Sequence, residues 1–252
     1  GREGQRGPRR YFVRRASLTQ GYAPRRMKDA LLLSMPFVSP AWPAIGISTL
    51  QACLRREGFS CDVAYPNLLF AERIGIDTYS LVDDLGGDGL FAGDWVFARH
   101  LSGGRLDEAA YLDHLRRHLQ DDAAAEAIAD LRSAVGLFLE ECLIRYRIAE
   151  YAIIGFSTTF EQNVPSLCLA RLIKARYPDK IIVFGGMNCG GEMGEELVRS
   201  FPWIDYVCRG ESEHTFPALV RALREGAPVE GIANLVHRSG DEVRASPPGP
   251  PI

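Results

Sequence analysis

Four short clusters in this chain, made of hydroxyls, amides, glycines and two glutamates, have the residue types to hold a ligand through hydrogen bonds. They are Ser39 to Pro43, which includes Trp42; Ser157, Thr158 and Thr159; Gly185 and Gly186 with Asn188; and Gly210 with Glu211 and Glu213. Hydroxyls, amides and glycines suit a ligand that bears many amide groups and an uncharged heterocycle. Glycine at such a place leaves backbone N–H and C=O groups open to a bulky ligand, because no Cβ stands in the way. A phosphate cradle looks different: the chain has no GxGxxG after its first apolar run and no GxxxxGK[ST], so dinucleotides and ATP are poorly supported. The cysteines at 53, 61, 142, 168, 189 and 208 form no CxxC, CxxxC or CxxxCxxC, so neither a zinc site nor an iron–sulfur cluster is encoded locally. His100, His114, His118, His214 and His237 are scattered.

Each cluster closes a run that reads as a buried strand. Ile181, Ile182, Val183 and Phe184 are stopped abruptly by Gly185 and Gly186, where a helix should follow. Asp29 to Met35 is nearly continuous in apolar residues, as a central parallel strand should be. Cys61 to Tyr65, Tyr151 to Ser157 and Ile204 to Cys208 complete the set. Prolines 36, 40 and 43 make the first loop stiff, and Pro43 suits the first turn of a helix that runs to Arg56, buries Ile47, Leu50 and Leu54, and stops at Gly58. Further helices are predicted over 165–176, 193–200 and 215–225. The pattern predicts an α/β fold with a doubly wound, mainly parallel five-stranded sheet, flavodoxin-like or Rossmann-like, whose carboxyl edge collects ligands.

The alternation breaks between strands 2 and 3. Residues 66–149 hold no clear strand and read as a helical insertion, with helices near Leu106–Gln120 and Ala123–Arg147. The longer one puts Ile128, Leu131, Val135, Phe138 and Cys142 on one face and can serve as the crossover. An insertion of this length reads as a lid or docking surface. Asp94 and Trp95 within it read as contacts to a peptide or a further domain, or as packing. Past residue 229, Ile232–His237 and Glu242–Ala245 flank Ser239, Gly240 and Asp241 as a small hairpin, and Ser246 to Pro251 reads as a linker.

With 252 residues and 46% hydrophobic content the chain can bury a full core. No apolar run approaches the roughly 20 residues that span a bilayer, and the N-terminus lacks the apolar core of a secretory signal. A cytoplasmic protein with reduced thiols is the simplest reading. Residues 1–26 carry eight arginines against one acid, Glu3, so the net charge of −3 leaves residues 27–252 at about −10. That basic stretch reads as a disordered leader ahead of a domain over 27–229, and nucleic-acid binding is not inferred from it.

The order Ser157-Thr158-Thr159, Gly185-Gly186 and Gly-Glu-Ser-Glu at 210–213 resembles the cobalamin-binding domain at the N-terminus of cobalamin-dependent radical SAM enzymes. More narrowly, the Pro36–Pro43 loop, Gly93 to Phe97 and Phe184 to Cys189 resemble the RiPP-maturation group, many members of which methylate unactivated carbons in peptides. The family's commoner Gly-Glu-Gly-Glu is here Gly-Glu-Ser-Glu. The resemblance implies that Trp42, Ser157, Thr158, Thr159, Gly185, Gly186, Asn188, Gly210 and Glu211 bind cobalamin, carried as methylcobalamin. It implies a precursor peptide as substrate, and a C-terminal radical SAM domain as partner that holds S-adenosylmethionine and the iron–sulfur cluster. Cobalamin mutases carry Asp-x-His-x-x-Gly after the first strand; Met35 to Pro43 hold no histidine. The implied cofactor is therefore base-off with its tail buried, and Trp42 is either a bulky neighbour of its lower face or a packing residue. Lacking CxxxCxxC, the chain is expected to be a non-catalytic part of such a methyltransferase, with residues 230–252 leading into the barrel domain. The alternatives are a stand-alone flavodoxin-like module for a flavin or nucleotide, or a cobalamin carrier. A nucleotide-sugar transferase is disfavoured, because no DxD pair follows a strand.

Overall fold

The first strand, β1 (Lys28–Ser34), alternates its faces: Leu31 and Leu33 enter one core, Ala30 and Leu32 the other. A computed structural model describes residues 27–250, and the expected leader at 1–26 lies outside the described residues. The elements that follow are α1 (Ile45–Arg56), β2 (Cys61–Ala64), α2 (Pro66–Ile74), α3 (Ile76–Gly87), α4 (Ala92–Ser102), α5 (Glu108–Leu119), α6 (Asp122–Asp130), α7 (Arg132–Arg145), β3 (Tyr151–Ser157), α8 (Asn163–Arg176), β4 (Ile181–Gly185), α9 (Glu192–Ser200), β5 (Tyr206–Cys208), α10 (Thr215–Glu225), β6 (Leu235–Ser239) and β7 (Glu242–Ala245).

The strands lie in the order β2-β1-β3-β4-β5-β6-β7. The first five are parallel in a flavodoxin-like order, and β6 and β7 add on antiparallel. Helices α1 and α10 cover one face, with Ile47, Leu54, Phe216 and Leu219 in its core. The insertion, α8 and α9 cover the other. Two strands more than the five expected are present, because the C-terminal hairpin is part of the sheet: Leu235 and Val236 are fully buried, and β6 takes the edge that β5 would otherwise expose. The expected linker is also held. Ser246 N–H donates to Leu235 O at 2.8 Å, and Pro247 O accepts from Asn234 N–H at 3.0 Å.

β5 starts two residues later than the apolar run, since Asp205 uses its side chain to accept from Ile182 N–H at 2.7 Å and pairs with Lys174. The insertion contains six helices where two were expected. Gly86 and Gly93 lie inside α3 and α4, where a Cβ would collide with the Glu161 carboxylate and the Phe37 ring respectively. The long helix breaks at Leu131, so α6 and α7 share the face that buries Ile128, Val135, Phe138 and Cys142. Asp107 and Asp121 cap α5 and α6, each accepting a backbone N–H at 3.0 Å. Among the described residues no helix is long and apolar enough to cross a membrane.

Candidate functional site

β3, β4 and β5 end side by side, with Ser157 opposite Gly185 in the register. Beneath that edge, between the sheet and the α1 and α10 layer, lies a narrow slot of about 40 Å³. Its walls are apolar, from Leu32, Ile47, Leu50, Val183 and Phe216, and its floor passes Gly155 in the middle of β3. Ser157, Gly185, Gly186 and Ser212 line it on the polar side, and no lining side chain is charged. Gly155 keeps the strand flush: a Cβ there would stand 2.6 Å from the tip of Leu32. Such a lining suits an uncharged, largely apolar group and offers hydroxyls and backbone groups for hydrogen bonds.

The expected site residues divide in their placement. Ser157, Gly185 and Gly186 line the slot. Thr158 is fully buried and turned inward: its N–H and hydroxyl both donate to Gly185 O, at 2.8 and 3.2 Å, while its own carbonyl accepts from Asn188 N–H at 3.2 Å. Thr159 exchanges a reciprocal cap with Gln162, whose amide oxygen accepts from Thr159 N–H at 3.1 Å. These two threonines fasten the edge from within. Asn188 donates its side-chain amide to Phe160 O at 2.8 Å. Gly210 takes a left-handed turn with φ 64°, which leaves Glu211 exposed and folds Ser212 back with its hydroxyl donating to Gly210 O at 3.2 Å. Ser212, rather than Gly210 or Glu211, reaches the slot. Trp42 is 70% exposed in the Pro36–Pro43 loop, which is anchored by buried Phe37 and by Tyr79, whose hydroxyl donates to Val38 O at 3.0 Å and accepts from Val38 N–H at 3.1 Å.

Where β1 and β3 part, Gln162 closes the crevice, donating to Met35 O at 2.6 Å and Ser34 Oγ at 3.1 Å. Next to it a carboxyl pair joins the insertion to the sheet edge. Glu161, 2% exposed, accepts from Gly93 N–H at 2.8 Å, and Asp94 accepts from Val164 N–H at 3.3 Å. Burial pushes both carboxyls up to about 7; the backbone bonds oppose this, and for Glu161 the neighbouring Asp94 charge adds to it. Trp95 packs within the insertion, stacked on Tyr111 at 4.6 Å with the Arg132 guanidinium 4.4 Å from its ring. The five deeply buried cysteines are free, and among the described residues no group of three or more His, Cys, Asp or Glu side chains could hold a metal ion. Gln162 and Glu161 carry no motif. Gly155 does give a signal, as a lone glycine within a strand.

No family model matches the chain. It is 34% identical over 100 residues to an uncharacterized methyltransferase of Pyrococcus horikoshii, a match covering 40% of this chain and 22% of that one. It is 24% identical over 171 residues to the anaerobic magnesium-protoporphyrin IX monomethyl ester cyclase of Rubrivivax gelatinosus, covering 64% and 27%. The chain thus spans about a quarter of the length of the curated relatives it matches. Among solved structures it is similar to the radical S-adenosylmethionine methyltransferase TsrM of Kitasatospora setae, with a TM-score of 0.48 and 18% identity over 89% of this chain and 31% of that chain. It is also similar to the cobalamin-dependent S-adenosylmethionine radical enzyme OxsB, with a TM-score of 0.49 and 14% identity over 88% and 22%.

Proposed function

We propose that residues 27–250 bind cobalamin as a domain of a radical SAM C-methyltransferase that modifies a ribosomally synthesised peptide. The observation that carries this reading is the uncharged slot under the glycine-lined edge. A ligand with a flat heterocyclic tail can bury the tail against Leu32, Val183 and Phe216 while amides on its bulkier part meet Ser157, Ser212 and the backbone at Gly185 and Gly186. The donor set fits such a group. A Cβ on Gly185 would stand 3.6 Å from Cys208 O and 3.9 Å from Ser212 Oγ, so the missing side chain is slot volume. A nucleotide or flavin phosphate calls for a cradle of cations or a glycine-rich phosphate loop, which this edge does not supply.

When bound, cobalamin supplies a cobalt-carried methyl group, and the protein supplies binding, orientation and electrostatics. Here the Met35 to Pro43 loop offers no imidazole, and Ser157, Gly185, Gly186 and Ser212 are the residues that would hold the group. The name of the Pyrococcus horikoshii relative supports a methyltransferase. The resemblance of 36–43, 93–97 and 184–189 to the RiPP-maturation group supports a precursor peptide as substrate. The same reading takes as partner a radical SAM domain bearing S-adenosylmethionine and an iron–sulfur cluster, and a cytoplasmic location.

The test is an anaerobic titration of the purified chain with hydroxocobalamin, followed by absorption and, after reduction to cobalt(II), by EPR. A near-stoichiometric complex with a base-off spectrum free of nitrogen coupling is expected. A folded chain that retains no cobalamin but takes up FMN overturns the reading and puts a flavin module in its place.

A further inference from the structure

Five non-glycine residues among those described have a positive φ, and the two aromatic ones are Phe91, at 54°, and Phe160, at 49°. Both rings are more than half exposed, at 52% and 69%. This pairing is unfavourable twice over. The left-handed conformation presses Cβ toward the following carbonyl in any L-residue, and a ring more than half exposed recovers only a part of what full burial would give. Both phenylalanines also stand at one corner. Phe160 immediately precedes Glu161, Phe91 lies two residues before Gly93, and Glu161 and Gly93 are hydrogen-bonded to each other.

The conformation of Phe160 is clamped on every side except that of its ring. Its carbonyl accepts from the Asn188 amide at 2.8 Å, Thr159 before it is fixed by the reciprocal cap with Gln162, and Glu161 after it is buried. Met187, adjacent to Asn188, is equally exposed at 69%. The segments that carry these two side chains are the ones that line the slot, since Ser157 is three residues before Phe160 and Gly186 is one before Met187. A ligand whose tail enters between these strand ends must bring its bulk out over them.

We propose that Phe160, with Met187, forms an apolar ledge at the slot mouth that receives the flat ring of the ligand whose tail fills the slot. The inference rests on the cobalamin reading and adds a positioning residue to it. A phenyl ring and a thioether are the side chains that gain most from covering a flat, polarisable surface, and the ring face supplies the burial that the free protein lacks.

Phe160→Gly separates the two consequences. It removes the ledge and makes the backbone conformation unstrained, so the melting temperature of the free chain rises by a few degrees, roughly as for other relieved left-handed positions. Affinity for hydroxocobalamin, read by absorption titration of the full chain, falls by roughly tenfold or more. Phe160→Asn, which also tolerates the left-handed region, gives the same pair of shifts and stands in should glycine loosen the turn. Phe160→Leu keeps the strain and part of the apolar surface, so its melting point stays at the parent value and its affinity falls less. Parent-like affinity in the glycine and asparagine variants, or melting below the parent in both, overturns the ledge while leaving cobalamin binding standing. A parent chain that takes up no hydroxocobalamin overturns both.

Discussion

A side chain at position 186 has nowhere to go. With φ at 95°, and with the Thr158 carbonyl oxygen and nitrogen 2.5 and 2.8 Å from the place a Cβ would take, Gly186→Ala must force the ends of β3 and β4 apart. We expect it to lower stability by about 3 kcal/mol, read from urea unfolding. Its neighbour behaves differently. Gly185→Ala meets Cys208 O and Ser212 Oγ only at ordinary contact distance, so the chain should melt within a few degrees of the parent yet lose hydroxocobalamin affinity. If both variants bind equally well, the slot is not where the ligand enters. The pair was legible in the sequence as a point of close backbone approach, but what approaches was not: for Gly186 it is Thr158, for Gly185 the slot. The hydroxyl cluster misleads in the same way. Ser157, Thr158 and Thr159 have one chemistry, and only the register with β4 decides that the first lines the slot while the second is spent on Gly185 O. Within the Gly-Glu-Ser-Glu turn at 210–213, it is the serine that reaches the slot.

Strands and the helices next to them follow from apolar runs: β3 and α10 begin and end where the pattern puts them, and β4 runs one residue on, into Gly185. The insertion does not, because its glycines serve helix packing: Gly86 and Gly93 admit Glu161 and Phe37, and neither contact has a sequence period. That packing gives α3, α4 and the sheet edge a shared sensitivity to pH. The Glu161 carboxyl titrates at about 7 in the folded chain against 4.5 ordinarily. Between those values the native state holds a proton that the unfolded chain has released, so the stabilisation is complete below about 4.5 and gone once the pH passes 7. Glu161→Gln keeps an acceptor for Gly93 N–H and never ionises. Its stability margin over the parent should grow by about 2 kcal/mol between pH 5 and pH 8, measured by chemical denaturation at each pH. A margin independent of pH would show that the carboxyl is already ionised at pH 5.

At the scale of the whole molecule, the sheet runs two strands past the parallel set, and the segment that follows, through Gly249, is tied back to Asn234. Composition alone marks Ser246 to Pro251 as a spacer; the bonds from Ser246 and to Pro247 depend on the left-handed turn at Asn234, φ 61°, which no short pattern announces. The paired caps between the insertion and the edge reach furthest across the fold. Glu161, at the entry to α8, holds the first turn of α4, while Asp94, in that turn, holds the first turn of α8. Neither helix start can fray without releasing the group that restrains the other. The two therefore form a single opening unit, and in native-state hydrogen exchange the amides of Gly93 and Val164 should open with the same free energy and the same dependence on denaturant, although 70 residues of chain separate them. A Gly93 amide that exchanges while Val164 stays protected would mean that the insertion breathes on its own.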